Sequence, residues 1–123
     1  MKRSRDISKL SRKALELYPT EVLDREAFGF TSGDVIVMAL DEIHIKYAAD
    51  LENAESDVTT LALARAILDR MQPVEVALRR GRFELEDGHH RYVASMMLGK
   101  KTIEADVEIH DNPITKILAR ANR

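Results

Sequence analysis

The stretch Glu86-Asp87-Gly88-His89-His90-Arg91-Tyr92 lies where a strand-like alternation of apolar residues gives way to helix-like spacing. A glycine at such a junction lets the backbone turn tightly and approach a ligand closely. The next residues can open a helix, whose first N–H groups have no partner inside the helix and point outward at its positive end. Two histidines and an arginine there predict a site for phosphate groups. The alternative is an ordinary turn in which Asp87 caps the helix and Arg91 forms a surface salt bridge with Glu86 or Asp87.

The segments on either side of this stretch have clear periodicities. Apolar residues alternate on both sides of a Gly81-containing turn, which predicts a β-hairpin over residues 74–86. A helix is expected over residues 89–98, ended by Gly99, and a half-exposed strand over residues 103–109. Asn112-Pro113 then predicts the start of a closing helix, because proline suits the first helical position.

The first half of the chain has weaker signals. A β-branched run predicts a buried strand over residues 34–40, and an acidic segment with few large apolar groups predicts a loop with at most a helical turn over residues 46–57. An apolar stripe predicts a helix over residues 58–71, with Ser56 or Asp57 as its cap. Residues 6–18 have the spacing of an amphipathic helix, and residues 19–33 lack a period and are expected to be a connector.

The predicted order is helix, strand, helix, hairpin, helix, strand, helix, which is typical of an α+β domain around a small mixed sheet. The expected organisation is a basic N-terminal helix and connector over residues 1–33, a domain over residues 34–110, and a C-terminal helix over residues 111–123. A chain of 123 residues is long enough for one such domain.

The composition excludes several kinds of site. The chain contains no cysteine, which excludes disulfides, a thiolate nucleophile and a zinc–thiolate centre, and which fits a cytoplasmic protein. The histidines lack the spacing of a helical zinc site, and neither zinc nor haem is predicted. No apolar run reaches the roughly 18 residues that would span a membrane, so no membrane association is expected.

Charge is distributed unevenly along the chain. Residues 1–13 hold six of the 19 lysines and arginines, and three more follow residue 113, against a single acid in these two ends. The central body keeps ten bases and twenty of the 21 acids. Such a body repels a nucleic-acid backbone, so a nucleic acid or an anionic protein partner would have to bind the basic termini. The alternative is that these charges form an ordinary solvated surface with two basic tails and bind no partner.

From roughly Asp34 to Ile109 the pattern resembles the ParB/sulfiredoxin-like superfamily, and the match is most specific over Gln72–Ile109. The resemblance implies that the glycine-led turn binds nucleotide phosphates. Sulfiredoxins have Gly-Cys-His-Arg at this turn and use ATP to reduce a cysteine sulfinic acid. Gly88, His90 and Arg91 match that motif, but His89 stands in place of the reactive cysteine. Sulfiredoxin activity is therefore not expected, because its chemistry needs the thiolate.

Two other branches of the superfamily match in part. Partition ParB proteins have Gly-Glu-Arg-Arg and bind CTP; Gly88 and Arg91 match, and no region remains for a helix-turn-helix that reads a centromere site. Free-serine kinases resemble this chain in an Asp-Gly-His turn and use a carboxylate after the first strand, a position that Asp41 or Glu42 could fill.

The acids near these positions are candidates for catalysis or for Mg²⁺. Asp87 and Glu86 are the candidate ligands of Mg²⁺, which takes one or two carboxylates together with phosphate oxygens. Asp87, His89 and Glu42 are the candidate catalytic groups for phosphoryl chemistry. Acids are plentiful in this sequence, so the alternative for each is a solvated surface position.

Two functions follow from these patterns. The first is a domain that binds ATP or CTP with Mg²⁺ through Gly88, His89, His90 and Arg91, and that hydrolyses the nucleotide or transfers a phosphoryl group. The alternative is a DNA-associated, partition-type regulatory module that acts through its basic termini without catalysis.

Overall fold

The computed structural model describes residues 6–70 and 72–121. Its elements in chain order are a short 3₁₀ helix at Ile7–Lys9, α1 (Arg12–Leu15), α2 (Thr20–Phe28), β1 (Val35–Ala39), a 3₁₀ turn at Leu40–Glu42, β2 (Ile43–His44), α3 (Ala48–Asp57), α4 (Leu61–Leu68), β3 (Val74–Arg79), β4 (Arg82–Asp87), α5 (His89–Met97), β5 (Thr102–Ile109) and α6 (Pro113–Ala121). They form two compact units. One takes the residues up to Ser32 and from Asp111 onward, and the other takes residues 33–110.

The unit of residues 33–110 contains a five-stranded sheet in the order β1-β5-β3-β4-β2. The β1–β5 and β3–β4 pairs are antiparallel, whereas β3–β5 and β2–β4 are parallel. With the helices of the same unit, this mixed sheet confirms the predicted α+β class.

The predicted hairpin is present as β3 and β4. Arg80 and Gly81 connect the strands with φ of 53° and 72°, and Arg79 pairs with Arg82 across them. Two consecutive residues with positive φ are typical of the type I′ turn, whose twist matches that of the flanking strands. The register shifts between Glu75 and Val76, next to the point where β4 leads into α5.

Three helices of this unit pack around a core of small and β-branched side chains: Ala54, Val58, Ala64, Val93 and Ala94. The predicted loop over residues 46–57 is wrong, because α3 occupies Ala48–Asp57. This helix fully buries only Ala54, so it lacks the broad apolar stripe that marks most amphipathic helices. The predicted cap of α4 is wrong as well: the Thr60 hydroxyl accepts the Leu63 N–H at 3.1 Å.

Strand β1 is present, but the prediction that it is buried is wrong. It lies at the edge of the sheet, and Val35 and Val37 are 50% and 68% exposed. A continuous β-branched run is common to buried strands and to this edge strand. Whether such a run becomes a central or an edge strand depends on which other strands pair with it, and the local sequence does not encode that pairing.

The second unit is helical, around Ile7, Leu15, Leu23, Ala27 and Ile117. The single helix predicted over residues 6–18 is instead the Ile7–Lys9 turn followed by α1, whose N-cap Ser11 accepts the Ala14 N–H. The predicted connector contains α2, which starts after Pro19 and ends at Gly29. The predicted start of α6 is confirmed, since Asn112 Oδ1 accepts the Ile114 N–H at 2.8 Å.

Candidate functional site

The turn between β4 and α5 depends on Gly88. Its φ is 95°, in the left-handed region that favours glycine, and its carbonyl accepts the Tyr92 N–H at 3.0 Å. A Cβ built on Gly88 would lie 2.8 Å from Cγ1 of Val74 in β3. The close approach of the two backbones and the positive φ both require the glycine that the sequence singled out.

The N-terminus of α5 has no side-chain cap. Asp87 therefore does not cap this helix, and that reading of the sequence is wrong. The first N–H groups of an α-helix lack partners within the helix, so an uncapped first turn offers donors and a positive dipole end to an anion.

Arg91 is half-buried one turn into α5. Its Nη2 donates to Oε1 of Gln72 at 3.0 Å, in place of the salt bridge with Glu86 or Asp87 that the sequence also allowed. Its Nε is buried and has no hydrogen-bond partner in the described part of the chain. The guanidinium is thus held from one side and keeps an unused buried donor.

Arg91 lines a cleft of about 350 Å³ within the unit of residues 33–110. Ser95 of α5, four residues after Arg91, and the C-cap residue Leu98, three residues later, also line the cleft. The lining combines three cations, two acids, three other polar residues and five apolar ones: Arg65, Arg91, Lys100, Asp69, Glu104, Gln72, Ser95, Thr102, Val37, Leu68, Pro73, Leu98 and Ile103.

The two histidines have different surroundings. His90 is exposed, and its Nε2 lies 3.0 Å from Oδ2 of Asp57 at the end of α3. His89 is half-buried at the first position of α5. Neither lines the cleft. Adjacent helical residues point about 100° apart, which explains why this pair does not share one direction.

The two carboxylates before Gly88 also differ. Glu86 accepts from Lys46 Nζ at 2.8 Å and from Arg79 Nη1, and these hydrogen bonds lower its pKa. Arg79 Nη1 also lies 3.5 Å from Oε1 of Glu84. Asp87 is exposed at the end of β4.

The Leu40–Glu42 turn, which carries Asp41 and Glu42, is tied to α5. The Tyr92 hydroxyl donates to the Leu40 carbonyl at 2.9 Å, and burial, with the nearby charge of Asp41, raises the Tyr92 pKa. Both acids are exposed. Tyr92 thereby connects this turn to α5, the helix that begins at His89.

No cluster of three or more histidine, aspartate or glutamate side chains that could hold a metal occurs among residues 6–70 and 72–121. The histidine and acidic side chains of the described residues therefore do not surround a metal ion by themselves. They fit only an ion held largely by phosphate oxygens with one or two carboxylates, as Mg²⁺ usually is. Among the described helices, none combines the length and apolar character needed to cross a bilayer.

The structure brings together part of the predicted site and adds residues that sequence analysis missed. Gly88, His89 and Arg91 lie at one helix end, and the turn that carries Asp41 and Glu42 is hydrogen-bonded to the same helix through Tyr92. Arg65, Lys100 and Ser95 were not singled out. The only local signal was for Ser95, four residues beyond Arg91 on the same helical face.

No model of a known protein family and no curated protein sequence matches this chain. Several solved structures do. The sulfiredoxin from Arabidopsis thaliana is 18% identical with a TM-score of 0.42, over 73% of this chain and 98% of that one. The C-terminally truncated ParB from Caulobacter crescentus, complexed with CTP-gamma-S, is 16% identical with a TM-score of 0.41, over 72% of this chain and 51% of that one.

A free serine kinase in complex with AMP is 20% identical with a TM-score of 0.40, over 63% of this chain and 32% of that one. The chain thus spans nearly all of the sulfiredoxin, about half of the ParB chain and a third of the kinase. Sulfiredoxin and ParB are the proteins that the sequence pattern resembles, and both are among these structures.

Proposed function

We propose that this chain binds the phosphates of a nucleoside triphosphate, ATP or CTP, at the turn from Gly88 to Arg91. The observation that carries the proposal is the state of Arg91, which lines the cleft with a buried Nε that has no acceptor among the described residues. An unsatisfied buried donor costs about 1–3 kcal/mol, which an anionic oxygen of a ligand would offset.

The surroundings of Arg91 support the same ligand class. The uncapped first turn of α5 offers N–H donors. His89 and His90 are the proposed further donors to phosphate oxygens at this turn, outside the cleft that Arg91 lines. In the cleft, three cations outnumber two acids, and Leu68, Leu98 and Ile103 add apolar wall for a base or sugar. The cleft volume of about 350 Å³ lies within the range of small-molecule sites.

For a phosphoryl step, we propose Asp87, Glu42 and His89 as the groups that position the nucleophile or accept its proton. Mg²⁺, which would neutralise phosphate charge, would be held mainly by phosphate oxygens with Asp87. Glu86 is the weaker second ligand because Lys46 and Arg79 already hold its carboxylate. In this proposal the phosphoryl group is hydrolysed by water or transferred to a small acceptor.

Binding is tested by titrating ATP, CTP, GTP and ADP, with and without Mg²⁺, by calorimetry. We expect a triphosphate to bind in the micromolar range and Arg91→Ala to weaken it about 10- to 100-fold, the scale of a lost charge-assisted hydrogen bond. Arg91→Lys should recover only part of the loss, because lysine cannot reproduce the planar fork.

Arg82→Ala is the matched control, since it removes an exposed arginine of the hairpin that does not line this cleft. Its affinity should stay within about twofold of the wild type. The proposal fails if no nucleotide binds below millimolar concentration, or if the two alanine variants lose affinity equally.

One observation favours a second candidate, a module that binds nucleic acid through its basic ends. The Ile7–Lys9 turn, α1 and α6 belong to one unit, so Arg12, Lys13 and Lys116 from opposite ends of the chain are carried by the same body. Duplex DNA should then bind with a steep salt dependence and be lost in the triple variant Arg12→Glu/Lys13→Glu/Lys116→Glu. An equal loss in Arg80→Glu/Arg82→Glu would show that binding depends on general positive charge and would contradict a site at the basic ends.

A further inference from the structure

Strand β1 lies at the edge of the sheet. Among the strands of residues 6–70 and 72–121 it is first in the sheet order and pairs with β5 alone, in an unbroken antiparallel register from Val35–Asp106 to Ala39–Thr102. Its sequence Val-Ile-Val-Met-Ala has no charge and no proline. Natural edge strands are usually protected by such residues or by bulges, because an open edge is a template for another strand.

The register identifies the outward-facing groups. The Leu40 N–H donates to the Lys101 carbonyl at 3.0 Å, and the Val107 N–H donates to the Asp34 carbonyl at 3.2 Å. Residues directed at a neighbouring strand alternate in an antiparallel pair. Ile36 and Met38 therefore face β5, while the N–H and C=O groups of Val35, Val37 and Ala39 point away from the sheet.

We propose that this edge pairs with β1 of a second copy of the chain, antiparallel about a two-fold axis at Val37. Val37 then lies opposite its own copy, and Val35 lies opposite Ala39. All three outward residues meet outward residues, which gives about six backbone hydrogen bonds, two for each directly opposed pair. The exposed side chains of Val35 and Val37 become cross-strand neighbours on one face of a continuous sheet.

The charges along this edge are compatible with a second copy as the occupant. In the proposed register Asp34 lies opposite Leu40 and Asp41 opposite Gly33, so no acid faces an acid. A slip of two residues toward the C-terminal end would set Asp34 against Glu42, which like-charge repulsion disfavours. Glu104 and Asp106, the β5 partners of Val37 and Val35, lie on the same face and would repel an acidic strand, whereas β1 itself has no charge.

Pairing at this edge also reaches the candidate ligand cleft. Val37 lines that cleft together with Glu104 of β5. The strand of the second copy would lie along the outer side of Val37, next to the mouth of the cleft. The contact is a short one, and the expected product is a reversible dimer.

Sedimentation velocity of the full chain from about 1 µM to about 1 mM tests the proposal. We expect a concentration-dependent dimer. Val37→Lys and Val37→Glu should each weaken it at least about tenfold, because two like charges would meet on the axis. An equimolar mixture of the two variants should restore a heterodimer, since lysine then lies opposite glutamate.

Leu61→Lys is the control, because Leu61 is 61% exposed on α4 and lies outside the strand. It should leave the dimer unchanged, and circular dichroism should show all variants folded. The proposal is overturned if the wild-type chain stays monomeric over the whole concentration range. If an unrelated strand peptide then binds that monomer, the β1 edge pairs with a different partner and not with a second copy. Equal effects of Val37→Lys and Leu61→Lys overturn it too, as does a mixture that does not dimerise.

Discussion

At the scale of single residues, Gly88 controls the turn on which the proposed site depends. Its positive φ and its contact with Val74 leave no room for a side chain. Gly99 separates these two effects, because it also has a positive φ, of 73°, but a Cβ there would meet nothing within 4 Å.

We expect Gly99→Ala to lower the free energy of unfolding by about 1–2 kcal/mol, through backbone strain alone. Gly88→Ala should lower it by about 2–4 kcal/mol, because overpacking against Val74 is added. Urea denaturation measures both. Equal losses would show that Val74 moves aside without penalty.

A buried carboxylate gives a second prediction at this scale. Asp24 of α2 is only 4% exposed, and burial raises its pKa while a backbone hydrogen bond from Ser32 opposes that change. The folded chain therefore takes up the proton at higher pH than the unfolded chain. Its ionisation opposes folding at neutral pH, and stability should rise as pH falls through the raised pKa.

Asp24→Asn should thus increase the free energy of unfolding at pH 7 by about 1 kcal/mol, and the gain should shrink toward pH 4. The comparison is Glu16→Gln, an exposed acid of the same unit, which should change little. A destabilised Asp24→Asn protein at pH 7 would mean that the charged form is the one the fold requires.

At the scale of elements, the start of α4 rests on one side chain. Thr60→Ala removes the hydroxyl that accepts the Leu63 N–H and should cost about 1 kcal/mol of stability. Ser56→Ala removes only a hydroxyl that donates to the Glu52 carbonyl within α3, and should cost a few tenths of that. Thermal unfolding of the pair distinguishes them, and the reverse order would restore Ser56 as the cap.

Elements with a strong local period were predictable, and those without one were not. β3, β4, β5 and α5 alternate or repeat clearly, and their predicted positions agree with the structure to within two residues. α2 and α3 were missed because each fully buries few apolar side chains: α2 buries Leu23 and Ala27 beside the carboxylate of Asp24, and α3 buries Ala54. Helices with such weak apolar stripes are stabilised mainly by tertiary packing, which cannot be read from a short stretch of sequence.

The candidate site also has a part that the sequence predicts and a part that it does not. The glycine at position 88 was predictable from the strand-to-helix junction, and its positive φ follows from that position. The contact of Arg91 with Gln72 and the bond from Tyr92 to Leu40 join residues 19 and 52 positions apart. The cations Arg65 and Lys100 reach the cleft through the packing of α4 and the α5–β5 connection, so no local motif marks them.

At the scale of the whole molecule, each of the two units has its own core. The cluster of Ala54, Val58, Ala64, Val93 and Ala94 lies entirely within residues 33–110, as does the sheet. We therefore expect a fragment of residues 33–110 to fold with a cooperative urea transition and to keep the helix signal of α3, α4 and α5 in circular dichroism. A broad, non-cooperative transition would contradict the domain predicted over residues 34–110.

The sheet order also determines when β1 finds its neighbour during synthesis. Val35 pairs with Asp106, so β1 emerges from the ribosome about 4–14 s before its partner at translation rates of 5–20 residues per second. The α3 and α4 helices and the β3–β4 hairpin can form locally in that interval, whereas β1 cannot. The nascent chain therefore carries an unpaired Val-Ile-Val-Met-Ala segment for seconds, and such a segment is prone to aggregate until β5 emerges.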